Sequence, residues 1–172
     1  MVREITLLGN PILRRRCTPV KDFESPETRS LIADLADTLA DFRSRKGFGR
    51  GIAAPQIGTA KQVIYINPEI HGPMINPRIV AKSRKKMRLW DDCFSFPDLL
   101  VMVERSYAIK VSYRDEHGKS RTVNGEGALS ELLQHEIDHI NGILAIDRAI
   151  DSKHIILRSE HEKQARREPV MF

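Results

Sequence analysis

The sequence predicts an α+β fold, in which antiparallel or mixed strands surround a central helix. One observation is that apolar residues recur at helical spacing in residues 26–45 and again in residues 127–141. The other is that the segments between them read as short strands separated by turn residues. A length of 172 residues suits one globular core, so we expect residues 1–172 to form a single domain.

The first helix is predicted over residues 26–45. Leu31, Leu35, Leu39 and Phe42 recur at helical spacing, and Gly47 stands just past the end of that pattern. The next segment, GFGRGIAAPQIG (47–58), is rich in glycine and predicts a loop or turn.

The strands are predicted from the segments that follow. QVIYIN (62–67) indicates a short buried strand, and RIVAKSRKKMRLW (78–90) indicates one extended strand with a solvated face. YAIKVSYRD and SRTVNG flank EHGK, which is typical of a hairpin turn. A second helix is predicted over residues 127–141 with Gly142 after its end, and a short helix is expected within the last twenty residues.

Composition and charge narrow the class of protein. The longest apolar runs, such as FSFPDLLVMV, are far shorter than the ~20 residues of a membrane span. The first sixteen residues mix charged and apolar side chains, unlike a secretory signal peptide. We therefore expect a cytoplasmic protein without membrane contact, in which Cys17 and Cys93 stay unpaired.

Basic residues gather in three runs, at 14–16, at 82–88 and in KQARRE near the C-terminus, and the net charge is +5. These runs are interpreted first as solvated surface, and alternatively as patches that meet an acidic partner such as RNA. No aromatic residues are interleaved with them, so the sequence does not favour sequence-specific nucleic-acid binding as the main activity.

The second predicted helix contains candidate metal-binding and catalytic residues. His135 and His139 are four residues apart, so both imidazoles project from one helical face and can bind one metal ion. Glu136 lies between them and completes the H-E-x-x-H pattern. The alternative is that this short pattern arises by chance on a surface helix.

A helical wheel places Glu136 with apolar residues. Leu129, Leu133 and Ile140 share its stripe, where a carboxylate is costly without a partner. We expect desolvation to raise the pKa of Glu136 towards the range useful for moving protons. A separate polar stripe is expected to face water; its members are Glu131, Gln134, Asp138 and Asn141.

A catalytic metal site of this kind needs a third protein ligand. The H-E-x-x-H-x-x-G-x-x-H arrangement is absent, because position 145 is alanine. Glu160 or Glu162 could serve by spacing, as in a zinc endopeptidase. Cys93 is the other candidate, since a thiolate is compatible with two imidazole ligands.

At this point the sequence resembles the peptide deformylase family. The resemblance rests on GRGIAAPQIG (49–58), DDCFS (91–95) and QHEIDHING (134–142), which match three family motifs in the same order. The N-terminal GNPILRRRCTPV is also similar to the start of family members. The similarity covers roughly residues 5–150.

The resemblance implies a ligand set and a fold of the deformylase type around the H-E-x-x-H helix. Cys93, His135 and His139 would bind one divalent metal ion, Fe²⁺ in cells, with Zn²⁺, Ni²⁺ or Co²⁺ as substitutes. The implied reaction removes the formyl group from the N-terminal formylmethionine of a new polypeptide and releases formate. The substrate is then a formylmethionyl peptide or nascent chain, and the basic runs suggest contact with the ribosome surface.

The resemblance also implies catalytic roles. Glu136 would take a proton from the attacking water and later deliver it to the leaving amine. The side-chain amide of Gln56 and the backbone N–H of Phe94 would stabilise the negative charge that develops on oxygen.

Substrate contacts are implied at four further residues. Gly49 and Gly51 would let the loop backbone pass close to the peptide, although glycines of an ordinary turn look the same. Leu132 is the best candidate for the methionine pocket, and a plain core leucine is the alternative. Asp92 lies beside the proposed ligand Cys93, where it could narrow the cleft.

The second motif departs from the family pattern, because Asp91 and Asp92 stand where the family has glutamate and glycine. This leaves a deformylase-like paralogue with weak activity or another N-acyl substrate as the main alternative. A zinc endopeptidase that uses Glu160 or Glu162 and a ribosome-associated binding protein are more distant alternatives.

Overall fold

In the computed structural model, which describes residues 1–167, two antiparallel sheets pack against a buried helix. Along the chain the helices and strands are α1 (Pro26–Lys46), β1 (Gly51–Ala53), β2 (Val63–Ile66), β3 (Gly72–Lys82), β4 (Lys86–Asp92), β5 (Leu99–Ser106), β6 (Ala108–Arg114), β7 (Ser120–Glu126), α2 (Ala128–Ile140), β8 (Ile155–Leu157) and α3 (Arg158–Arg167). The predicted α+β class is confirmed.

Helix α1 begins and ends where the sequence indicates. The Ser25 hydroxyl accepts the N–H of Thr28 at 3.2 Å, and Pro26 occupies the first turn. Gly47 follows with φ of 77°, a left-handed conformation that glycine adopts without strain. The four apolar residues predicted to share a face are all buried.

The sheets have the strand orders β1-β2-β3-β6-β7 and β4-β5-β8. Every pairing within them is antiparallel, and β6 and β7 form the predicted hairpin. Strands β1 and β4 are therefore edge strands of different sheets. Both lie next to the cleft described below.

Two local predictions differ from the structure. Residues 78–90 form parts of two strands in different sheets, because the chain turns after Lys82 and the Ser83 hydroxyl donates to the carbonyl of Lys85 at 2.8 Å. The glycine-rich segment is also more regular than a loop. Gly51–Ala53 pairs with β2, and the residues after it form a 3₁₀ turn that begins Ala54-Pro55.

Helix α2 is buried along residues 130–140, so the prediction of a water-facing polar stripe is wrong for three of its four residues, and only Asn141, just past the helix, is exposed. Its polar residues are partnered instead. Glu131 pairs with Arg50, Gln134 bonds the backbone of Ser106, and Asp138 pairs with two arginines. Because α2 contacts strands of both sheets, its buried polar groups must be satisfied from those strands and loops.

The predicted terminal helix is α3, which follows β8 directly. Across residues 1–167 none of the helices combines the length and the apolar character that a bilayer crossing requires. The basic segment KQARRE extends past the described residues.

Candidate active site

Three potential metal ligands meet at the inner end of a cleft. Cys93 follows the last residue of β4, and His135 and His139 lie one turn apart on α2. His139 Nε2 lies 3.2 Å from Cys93 Sγ and 3.2 Å from His135 Nε2. All three residues are buried. The strand end and the helix therefore bring one sulfur and two nitrogen ligands together.

This donor set fits a divalent metal ion. A tetrahedral ion about 2.0–2.3 Å from nitrogen and sulfur ligands holds neighbouring ligand atoms about 3.3–3.6 Å apart. The observed spacings of 3.2 Å are close to that range. Burial and the neighbouring His135 lower the pKa of His139 well below its ordinary value, which keeps a nitrogen lone pair available. Iron(II), zinc and related ions all accept such ligands.

Asp91 orients the imidazole ring of His135 through a hydrogen bond. Its Oδ1 lies 2.8 Å from His135 Nδ1, so Nδ1 donates to the carboxylate and Nε2 is left for the metal. Its Oδ2 accepts from Arg105 Nη2 at 2.7 Å. Burial acts to raise the pKa of Asp91, but His135 and Arg105 outweigh it and hold the carboxyl ionised. Asp91 is one methylene shorter than the glutamate of the family motif, and it still reaches both partners.

Arg105 is a supporting residue that the motifs do not reveal. Its Nη1 donates to Asp138 Oδ2 at 2.9 Å, and Asp138 Oδ1 accepts from Arg148 Nη2 at 2.8 Å. The sequence does hold a signal for it. Val101, Val103 and Arg105 occupy alternate, buried positions of β5, so an arginine continues an inward-facing apolar row and requires a buried anion.

Glu136 presents a carboxylate without a partner beside the metal ligands. The residue is 3% exposed, and its Oε2 forms no hydrogen bond with any of residues 1–167. Burial is the largest cause of a pKa raised to about 7, and it is only partly offset by His135. A carboxylate that titrates near neutrality can both accept and return a proton.

Gln56 and the N–H of Phe94 place polar donors beside the same ligands. Gln56 Oε1 accepts the N–H of Ala53 at 2.9 Å, which fixes the amide. Its Nε2 lies 3.6 Å from Cys93 Sγ and 3.4 Å from Ser95 Oγ. The backbone N–H of Phe94 forms no hydrogen bond in the described part of the chain. The Gln56 amide therefore donates towards Cys93 and Ser95 beside the metal ligands, and the N–H of Phe94 is an unused donor there.

The two motif glycines make room for neighbouring side chains. Gly49 has φ of 116°, and a Cβ there would collide with Cζ of Phe94. A Cβ on Gly51 would lie 2.7 Å from Glu136 Oε1. Both positions thus require glycine because of the groups packed against them.

One cleft of about 380 Å³ unites these groups. Every predicted site residue lines it except His139, which lies behind the others. A larger cleft, about 1020 Å³, lies between α1 and residues 18–22 and contains none of them. The residues predicted from separate motifs are therefore brought together in one place.

Asp92 lies at the rim of the cleft. Among the non-glycine residues described, positive φ is confined to His71 and Asn76, so Asp92 does not replace a glycine in a left-handed conformation. Asp92 Oδ2 accepts from Arg158 Nη2 at 2.7 Å, and the Arg158 guanidinium stacks over Phe48, 4.7 Å from the ring centroid. The negative charge of Asp92 is thus balanced by Arg158.

The other proposed third ligands lie elsewhere. Glu160 and Glu162 are exposed on α3, and Glu160 pairs with Lys163. Within residues 1–167 neither glutamate belongs to a group of potential metal ligands, whereas Cys93 does.

A second group of potential ligand atoms consists of Asp91, Glu131 and His135. Arg105 and Arg50 already neutralise its two carboxylates. His135 turns Nδ1 towards Asp91, so its Nε2 belongs to the first group.

Comparison with known proteins agrees with this arrangement. A family model described as polypeptide deformylase matches residues 2–154. The chain is 37% identical over 171 residues to a peptide deformylase of Parafrankia sp. (strain EAN1pec), covering 98% of this chain and 90% of that protein. It is 38% identical over 152 residues to one of Desulfitobacterium hafniense (strain DSM 10664 / DCB-2), covering 86% and 95%. The crystal structure of a peptide deformylase from Synechococcus elongatus in complex with actinonin matches with a TM-score of 0.81 at 32% identity, covering 88% of this chain and 81% of that one.

Proposed function

This chain belongs to the polypeptide deformylase family of metal-dependent hydrolases, and from that premise we propose that it removes the formyl group from the N-terminal formylmethionine of new polypeptides and releases formate. One observation carries the proposal. The buried ligands Cys93, His135 and His139 adjoin a cleft in which Glu136 offers an unpartnered carboxylate.

We propose that Cys93, His135 and His139 bind one Fe²⁺ ion in cells, and that Zn²⁺, Ni²⁺ or Co²⁺ can replace it. The thiolate and two imidazoles support this, because these ions share such ligands. When bound, the ion supplies Lewis-acid polarisation of the formyl carbonyl and makes water more acidic.

Glu136 is proposed to move the proton of the reaction. Its carboxylate takes a proton from the attacking water and then gives it to the amine that leaves. The pKa of about 7 suits both steps, because the group can hold and release a proton near neutral pH. Asp91 and Arg105 keep His135 in place while this proton moves.

Gln56 and Phe94 are proposed to stabilise the charge that develops on the formyl oxygen. Gln56 Nε2 is fixed by the bond between its Oε1 and the N–H of Ala53. Fixed donors are effective because they need no reorganisation as the charge forms. The unused N–H of Phe94 supplies a second donor.

The peptide is proposed to bind in an extended conformation between the edges of β4 and β1. Both are edge strands next to the cleft, so their backbone groups can pair with a peptide backbone. Gly49 and Gly51 allow the loop backbone to approach it. Leu132 offers apolar surface to the first side chain, and Asp92 lies beside the path of the peptide.

We propose that the protein acts in the cytoplasm on nascent chains. Cys17 and Cys93 are free thiols, the state favoured in a reducing compartment. Arg14, Arg15 and Arg16 are exposed and give the chain a positive surface that could face ribosomal RNA. Salt-sensitive co-sedimentation with ribosomes, lost when these arginines become alanine, tests that contact.

The central experiment measures formate release from formyl-Met-Ala-Ser by iron-loaded protein prepared without oxygen. Glu136→Gln is expected to lower kcat by about 10²–10⁴-fold while metal content stays stoichiometric. Cys93→Ala is expected to lose the metal. Actinonin, which is bound by the Synechococcus elongatus relative, provides a binding readout that does not depend on turnover.

Glu162→Gln is the matched control, because Glu162 is an exposed glutamate that the endopeptidase alternative would use as a ligand. It is expected to keep both metal and activity. Fully metal-loaded protein that releases no formate would contradict the proposed function.

A further inference from the structure

The cleft wall beside the metal ligands carries a charged pair next to Leu132, the residue proposed above to contact the first side chain of the substrate. Arg50 precedes β1 and Glu131 lies in the first turn of α2, and both line the cleft with Leu132. Arg50 Nη2 donates to Glu131 Oε2 at 2.9 Å. The side chains are 36% and 11% exposed, so the pair borders the cavity and is mostly shielded from bulk water.

Arg50 is held by more than this one contact. Its Nη1 donates to Glu69 Oε1 at 3.1 Å and to the carbonyl of Ala128 at 3.3 Å. These partners lie after β2 and at the start of α2, so the guanidinium has little freedom to swing out of the wall. Within residues 1–167, Glu131 Oε1 forms no hydrogen bond, which leaves an acceptor free for a ligand.

The remaining wall offers little surface for a thioether. Leu132 is the one aliphatic side chain among the described residues that line the cleft. The ring of Phe94 is stacked on Phe42 with centroids 3.7 Å apart, and Phe48 is covered by Arg158. An apolar side chain in this cleft would displace water from the ion pair. It would offer no hydrogen bonds in place of those that the water made.

We propose that the Arg50–Glu131 pair determines selectivity for the first side chain of the formylated substrate, so that a side chain ending in a hydrogen-bond donor, such as glutamine, is accepted at least as well as methionine. This rests on the proposed deformylase function and concerns the substrate class of the same site. Glutamine and methionine have similar lengths, so the polarity of the wall decides between them. The glutamine amide can donate to Glu131, whereas the thioether cannot.

The test compares kcat/KM for formyl-Met-Ala-Ser with kcat/KM for formyl-Gln-Ala-Ser. We expect a methionine-to-glutamine ratio of about 1 or lower in the wild type, and a rise of about tenfold in the double variant R50L/E131L. A wild-type ratio above about 3, or a rise of less than about threefold in the double variant, overturns the inference. Formate release from neither peptide by metal-loaded wild type overturns the proposed function itself.

Two further variants keep the result interpretable. Glu131→Met keeps the length of the side chain and removes its acceptor oxygens, so it should raise the ratio in the same direction and can replace the double variant if that protein does not fold. Arg88 and Glu104 form an exposed pair at 3.2 Å outside the cleft. The matched variant R88L/E104L should leave the ratio unchanged, and a similar rise there would also overturn the inference.

Discussion

The side chain of Glu136 occupies the space that a Cβ on Gly51 would need, because a Cβ built there would lie 2.7 Å from Glu136 Oε1. Gly51→Ala should therefore displace the carboxylate from its place beside the metal ligands. We expect kcat to fall about 10²-fold with metal content unchanged, since small misplacements of reacting groups are costly. Steady-state kinetics and metal analysis on the same sample measure both quantities.

Gly72→Ala is the matched control, because no atom lies within 4 Å of a Cβ built at Gly72. Its kcat should stay within about twofold of the wild type. An alanine at position 51 that leaves kcat intact would show that the position of Glu136 does not limit the reaction.

Arg105 holds two buried carboxylates, those of Asp91 and Asp138, at 2.7 and 2.9 Å. Arg105→Met keeps much of the side-chain volume but takes the shared guanidinium from both anions, which leaves Asp91 with His135 alone and Asp138 with the half-exposed Arg148. The free energy of unfolding should fall by about 3–5 kcal/mol, as measured by urea denaturation. Arg88→Met removes an exposed partner of Glu104 and should cost less than about 1 kcal/mol; equal losses in the two variants would argue against the buried network.

The periodic parts of the fold could be predicted from sequence because their causes are local. Helix α1 follows from four apolar residues at helical spacing, a serine cap and a terminal glycine. The hairpin of β6 and β7 follows from its turn residues. The Cys93, His135 and His139 group could be named because the histidine spacing and the matched motifs both lie within short segments.

The wrong predictions have a different cause. They concern residues whose environment depends on partners that are distant in sequence. Glu131 looks water-facing on a helical wheel, but Arg50 lies 81 residues earlier and makes its burial possible. Asp138 is buried for the same reason, through Arg105, 33 residues away. The division of residues 78–90 between two sheets likewise depends on which strands pair, which local patterns do not encode.

Asp92 and Arg158 form an ion pair at the cleft rim, with side chains 41% and 28% exposed. A double-mutant cycle with Asp92→Asn and Arg158→Met should give a coupling energy below about 1 kcal/mol in urea denaturation, because solvent screens the pair. Asp92→Gly should then leave the stability nearly unchanged. A coupling energy of several kcal/mol would mean that the pair holds α3 in place.

Cys17 is a buried thiol whose pKa burial raises to about 11, with a small opposing effect of Arg15. Because the pKa is higher in the folded state than in the unfolded chain, the unfolded chain loses its proton first. The stabilisation is therefore fully present below pH ~9 and is lost by about pH 11, amounting to roughly 2 kcal/mol. Urea denaturation of the wild type and of Cys17→Ser at several pH values measures it.

The serine variant is the control, because its hydroxyl does not titrate in this range. The stability advantage of the wild type over Cys17→Ser should shrink as the pH rises from 8 to 11. Parallel pH profiles of the two proteins would mean that Cys17 is not shielded from solvent as the structure places it. Because a raised pKa keeps the Cys17 thiol protonated at pH 8, we also expect iodoacetamide to alkylate it slowly at that pH.

Asp91 fixes the orientation of His135 through a 2.8 Å contact with Nδ1. Asp91→Asn removes the anionic acceptor and is expected to weaken metal binding about 10–100-fold, as measured by competition with a chromogenic chelator. Asp91→Glu restores the carboxylate and should keep affinity near the wild-type value. Asp98→Asn, a change at an exposed aspartate, serves as the control. Wild-type affinity in Asp91→Asn would show that the metal ligands hold their geometry without this contact, and that Arg105 then matters for stability alone.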